Sequence, residues 1–142
     1  MRYTLKTFFL LLGLVSISMA QLIEQAKIVA GDAADGDIFG YSVSISGDYA
    51  IAGANFDDDA GSSSGSAYIF TRSGTSWSQQ AKIVAGDAAG NDYFGASVSI
   101  SGDYAIVGAY GDDDGGLASG SAYIFTRSGT SWSQQAKIVA GD

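Results

Sequence analysis

Two acidic triplets, Asp57-Asp58-Asp59 and Asp112-Asp113-Asp114, have the clearest capacity for chemistry in this chain. Alternate side chains of an extended segment point the same way. Asp57 with Asp59, and Asp112 with Asp114, could therefore offer paired oxygens to a hard cation such as calcium, which takes roughly six to eight of them. The same carboxylates could instead form a solvated rim that keeps a Gly-rich protein soluble and discourages edge pairing. The chain has no His and no Cys. That removes the Ser-His-Asp and Cys-His nucleophile systems, imidazole metal sites and disulfides. Its Ser residues have no base beside them, and no enzymatic activity is expected.

The balance of the chain is strongly acidic, with a formal charge of -8 over 142 residues. Nucleic acid and anionic membranes need clustered Lys and Arg, so neither is expected as a partner. Residues 1–20 read as an export signal. Arg2 and Lys6 charge the start, an apolar run extends from Phe8 to Ile17, and Ser18-Met19-Ala20 supplies small residues for cleavage. That run is shorter than the roughly twenty residues that span a bilayer. The expected mature chain, 21–142, is exported, either secreted or at the cell surface, without membrane insertion. Without Arg2 and Lys6 its formal charge falls from -8 to -10.

The elements that must position the triplets come from a repeat. "QAKIVAGD" starts at Gln25, Gln80 and Gln135, a step of 55 residues, and residues 25–79 match 80–134 at 45 of 55 positions without a gap. A fixed period of this size is the mark of a repeat architecture. Within the unit the hydrophobic period is two: Tyr41, Val43 and Ile45 alternate with Ser42, Ser44 and Ser46, and Tyr68 and Phe70 with Ala67 and Ile69. Four strands per unit follow, near 41–46, 48–53, 66–72 and 76–85, and again near 96–101, 103–108, 121–127 and 131–140. Short "SGDY" and "RSGTS" turns suit antiparallel neighbours. The fold class is all-β, with four-stranded antiparallel blades stacked as in a β-propeller. The expected organisation is a lone outer strand at 21–32, one blade at 33–87 and a second at 88–142.

Phe39-Gly40 and Phe94-Gly95, followed by Gly53-Ala54 and Gly108-Ala109 and then "GSAYIF", resemble FG-GAP repeats, the units of the seven-bladed integrin α-subunit propeller. The spacing is closer still to the compact bacterial type found in secreted and surface proteins. Two departures stand out. Asn55 and Tyr110 replace the Pro of Gly-Ala-Pro, and the tight "SGD" turn occupies the space where integrins carry a D-x-D-x-D-G calcium loop. Calcium remains a candidate cofactor only through the acidic triplets. The resemblance implies adhesion or binding to a protein or glycan at a cell surface or matrix. Two other roles fit the same resemblance: an accessory propeller domain of a larger secreted enzyme, or a structural spacer.

Antiparallel order sends the connections after the second and fourth strands to one end of the blades. Twelve of the fifteen acidic residues fall there, as do eight of the ten positions at which the copies differ. Loops on a rigid scaffold commonly carry binding. The expected ligand-contacting residues are Asn55, Phe56, Asp57, Asp58 and Asp59, with Tyr110, Asp112, Asp113 and Asp114. Structural roles are expected for Phe39 and Phe94 as core anchors, and for Trp77 and Trp132 as packing between outer strands. Gly40, Gly53, Gly95 and Gly108 are expected at close backbone approaches. Two blades do not close a propeller, so further repeats in the same chain or self-assembly is expected, with a piece of a longer protein favoured.

Overall fold

A computed structural model describes residues 23–141. The leader expected at 1–20 lies outside the described residues. Two four-stranded sheets follow one another. The first has β1 (Ser42–Ser46), β2 (Tyr49–Ala54), β3 (Ser66–Ser73) and β4 (Ser76–Ile83) in spatial order; the second has β5 (Ser97–Ser101), β6 (Tyr104–Ala109), β7 (Ser121–Ser128) and β8 (Ser131–Val139). Every neighbouring pair is antiparallel. The all-β, blade-like architecture is the one the repeat pattern predicts. Among the described residues no helix is long and apolar enough to cross a membrane.

Local chemistry explains the ladders. Ser46 pairs with Tyr49 across a two-residue turn in which Gly47 takes φ 58°, a conformation that costs Gly little. The β3–β4 register shifts between Ile69 and Phe70, leaving Gln80 opposite no partner, and β7–β8 repeats the shift between Ile124 and Phe125. Such a bulge re-aims a side chain. Here it turns Gln80 toward the second sheet, where its Oε1 accepts the Trp132 Nε1–H at 2.9 Å.

The two sheets share one seam. The back face of the first sheet, with Ile51, Ile69 and Ile83, packs against Phe94, Ile100, Val107 and Phe125 of the second. Phe94 sits edge-on to Tyr123 and Phe125, and Phe39 repeats the arrangement on Tyr68 and Phe70. Trp132 lies edge-on to Tyr49, while Trp77 packs against the front face of the first sheet. Gly95 and Gly53 meet backbone to backbone across the seam. Gly40 departs from its expected role: nothing lies within 4 Å of a Cβ built there, and its φ of 86° is what calls for glycine.

Residues 23–30 correct the expectation of a lone outer strand at 21–32, because they lie in no strand. Their period-55 counterpart joins β4, which has β3 beside it; among the described residues no strand precedes 23–30 to supply the ladder. The segment still covers the first sheet, with Ile28 and Ala30 against Ala52, Tyr68 and Phe70.

Candidate functional site: the acidic loop end

The β2–β3, β4–β5 and β6–β7 connections gather at one end of the sheets. After β2 the chain turns back with the Asp57 N–H donating to the Ala54 carbonyl at 3.1 Å. That turn points the Asp57 side chain inward, where Oδ1 accepts the Asp59 N–H at 3.2 Å and Oδ2 accepts the Tyr68 hydroxyl at 2.8 Å. The β3–β4 register sets Tyr68 directly opposite Lys82. Lys82 Nζ lies 2.9 Å from Asp57 Oδ2 and 2.7 Å from Asp32 Oδ2, and also bonds Asp59.

The second sheet repeats the arrangement. Asp112 Oδ2 accepts from the Tyr123 hydroxyl at 2.7 Å and from Lys137 Nζ at 2.8 Å, while Oδ1 accepts from Ser121 Oγ at 2.9 Å. Lys137 Nζ also lies 2.7 Å from Asp87 Oδ2 and bonds Asp114. An ammonium group has three N–H donors. In each blade these three protons meet three carboxylates, one from the loop entering the blade and two from the triplet.

Calcium at these positions has to be judged against that geometry. Oxygens of Asp87, Asp112 and Asp114 lie within 4.8 Å of one another, a spacing a metal ion could use. The space between them is filled by Lys137 Nζ. A calcium ion needs several oxygens at about 2.3–2.6 Å, and with the lysine in place the residues do not fit one. Asp57 and Asp59 meet around Lys82, and Asp112 and Asp114 around Lys137.

The electrostatics follow. Burial alone would raise the Asp112 pKa, but hydrogen bonds from Lys137, Tyr123 and Ser121 outweigh it and hold the value at about 2. Burial likewise opposes the ionisation of Asp57 and Asp87, and bonds from their lysine and tyrosine bring both below the usual carboxylate range. Burial would depress Lys82 and Lys137, yet their carboxylates hold both well above the ordinary lysine range. The buried hydroxyls of Tyr68 and Tyr123 are pushed up, first by burial. Asp92 moves the other way: burial raises it, the Ala89 N–H offsets this only partly, and the charges of Asp112, Asp113 and Asp87 add to the rise.

The loop end divides the expected contact residues. Asn55, Asp57 and Asp112 are buried, which corrects their assignment as direct contacts. Asn55 is enclosed, and the two aspartates face their lysines. Phe56, Asp58, Asp59, Tyr110, Asp113 and Asp114 are exposed, with Asp59 and Asp114 engaged by lysine. Phe56 and Tyr110 flank a residue that the sequence reading missed. Tyr93 lies edge-on to Phe56 at 5.4 Å and stacks on Tyr110 at 4.8 Å, interplanar angle 4°. The row runs from the first blade to the second across the seam. Tyr93 was visible as one of the positions where the copies differ, Ile38 being its counterpart. Lys82 and Lys137 were visible as the one lysine in each 55-residue period. At the opposite end, Asp48 and Asp103 are paired with Arg72 and Arg127.

Comparison with known proteins adds one finding. Residues 22–70 and 77–125 each match the family profile described as FG-GAP repeat. No match is found among curated proteins.

Proposed function

The chain belongs to the FG-GAP repeat family, and on that premise we propose that it is an exported, non-enzymatic, propeller-type module that binds a protein or glycan at a cell surface or matrix through its acidic loop end. FG-GAP repeats are typical of extracellular or surface proteins, which supports the setting. The observation that carries the reading is the row Phe56, Tyr93 and Tyr110, with the exposed Asp58 and Asp113 following Phe56 and Tyr110 in the same two loops. Aromatic faces offer large contact area at small entropic cost and stack on sugar rings or apolar side chains. The flanking carboxylates accept hydrogen bonds from hydroxyl groups or pair with basic residues. Calcium has no part in this reading, because Lys82 and Lys137 hold the aspartates.

Binding of the immobilised chain to a panel of glycans and matrix proteins, in chelator, tests the proposal. Phe56→Ala with Tyr110→Ala changes exposed side chains only and should weaken binding tenfold or more, as expected for aromatic anchors of an interface. Full binding by the double variant, or no binding to any member by the parent chain, would overturn the assignment.

A further inference from the structure

The front face of the first sheet has a pocket whose counterpart in the seam holds a tyrosine ring. Gln25, Ala26, Ile28, Ile45, Ala50 and Trp77 line it, around a volume of about 260 Å³. One period of 55 residues further on, these positions are Gln80, Ala81, Ile83, Ile100, Ala105 and Trp132. All six lie at the seam. The Trp132 Nε1–H donates to Gln80 Oε1 at 2.9 Å, and the other four belong to the apolar cluster of the seam or pack against it.

The side chain that completes the set in the seam is Tyr49. Its ring packs against the same cluster, lies edge-on to Trp132 with 6.3 Å between centroids, and has the Arg127 guanidinium 4.8 Å from its own centroid. In the first-sheet pocket Trp77 is the one aromatic residue of the lining. Two differences between the sets follow. Ile100 is 4% exposed, whereas its counterpart Ile45 is 67% exposed. Arg72, the counterpart of Arg127, lies over Trp77 of its own blade at 6.0 Å. In addition, among the described residues no hydrogen bond joins Trp77 to Gln25, which leaves an indole donor and a carboxamide for a hydroxyl group.

We propose that this pocket binds a small free phenol, the ring that Tyr49 supplies to the same residue set in the seam. Trp77 meets the ring edge-on, Ile28, Ile45 and Ala50 give it apolar contact, and Arg72 lies over its face, the cation–π contact that Arg127 makes with Tyr49. The volume suits one ring, because it falls below the roughly 300–1,000 Å³ of sites for drug-sized ligands. Residues 25–28 form one wall, and Ile28 packs this segment onto the first sheet. The opening therefore admits a single ring rather than a further strand. The pocket lies apart from the acidic loop end, and the inference is independent of what binds there.

Titration of the full chain with p-cresol, followed by the indole N–H signals in nitrogen-proton NMR spectra, provides the test. The chain has two Trp residues, and Trp77→Phe identifies which signal is which. The Trp77 signal should move and saturate with a dissociation constant on the order of 1 mM, as fits one small ring in an open site. The Trp132 signal should stay in place, because Tyr49 already occupies its side of the seam. The non-aromatic analogue 4-methylcyclohexanol should bind roughly threefold to fivefold more weakly, having no ring face for Arg72. Ile45→Asp changes an exposed side chain, so the blade stays folded, and the charge in the pocket wall should weaken p-cresol binding about tenfold. Arg72→Gln, at a surface ion pair with Asp48, is a second variant and should weaken it roughly threefold to fivefold. A Trp77 signal that does not move, or both indole signals moving alike, would overturn the proposal. Equal binding of the two probes, or parent affinity in both variants, would do the same.

Discussion

A Cβ added to Gly53 would lie 1.9 Å from the carbonyl oxygen of Gly95, and only 2.6 Å from Ser42 Oγ. The approach is backbone to side-chain origin, so no rotamer change relieves it. It explains why glycine stands at this point of β2, where a strand would otherwise favour a side chain.

Gly53→Ala should therefore cost roughly 3 kcal/mol or more, the range of a forced overpacking. Gly108→Ala, which meets a single rotatable hydroxyl, should cost less than about 1 kcal/mol. Urea unfolding makes the comparison. Equal losses would mean that the seam does not depend on this close approach.

Lys137→Met removes the cation from between Asp87, Asp112 and Asp114. Breaking a buried ion pair from one side leaves an uncompensated charge and costs about 3–5 kcal/mol; exposure of Asp87 and Asp114 to water reduces this to about 2–3 kcal/mol. The freed carboxylates then become available to calcium, and excess calcium should raise the melting midpoint of the variant. A variant as stable as the parent, or one indifferent to calcium, would contradict the account of the cluster.

Stability should have an acid limb set by these aspartates. An unfolded aspartate takes up its proton near pH 4, whereas folded Asp112 resists until about pH 2. As pH falls through this window the unfolded state binds more protons, and stability falls. Asp32, Asp57 and Asp87 act in the same direction, and Asp92, held upward, in the opposite one. Lys82, Lys137, Tyr68 and Tyr123 are all held upward. Their contribution is complete below about pH 10 and declines as pH rises beyond it. A plateau between about pH 4 and pH 10 is expected in denaturant midpoints. Rising stability on acidification from pH 4 to pH 2 would contradict the sign of the Asp112 shift.

Asp92→Asn should be neutral or stabilising, by up to about 1 kcal/mol. The amide oxygen keeps the bond that Asp92 Oδ2 accepts from the Ala89 N–H at 2.7 Å, while the repulsion from Asp87, Asp112 and Asp113 is lost. Thermal melting at neutral pH checks it, and a marked drop in midpoint would show that the charge itself is needed.

The strands were legible because alternation in "YSVSIS" and "SAYIFTR" is a local property, and the period of 55 residues carried it from one blade to the next. The lysine clusters were not legible from the triplets alone. They depend on the β3–β4 register that sets Tyr68 opposite Lys82, and on the turn after Ala54 that sends Asp57 inward while Asp58 stays outside. Asp57 and Asp59 both reach Lys82 from a turn rather than an extended segment, and alternation contained nothing about the ammonium that meets them. Ile45 and Ile100 show the other limit. They are identical in local sequence, and only the presence of a neighbouring sheet separates their exposures.

The most direct test of the central claim, that each blade carries its own cation, is the thermal midpoint of the parent chain in excess calcium and in chelator. A ligand that binds only the folded state must raise the midpoint. With Lys82 and Lys137 seated among their carboxylates, the two midpoints should coincide; a higher midpoint in calcium would contradict the claim.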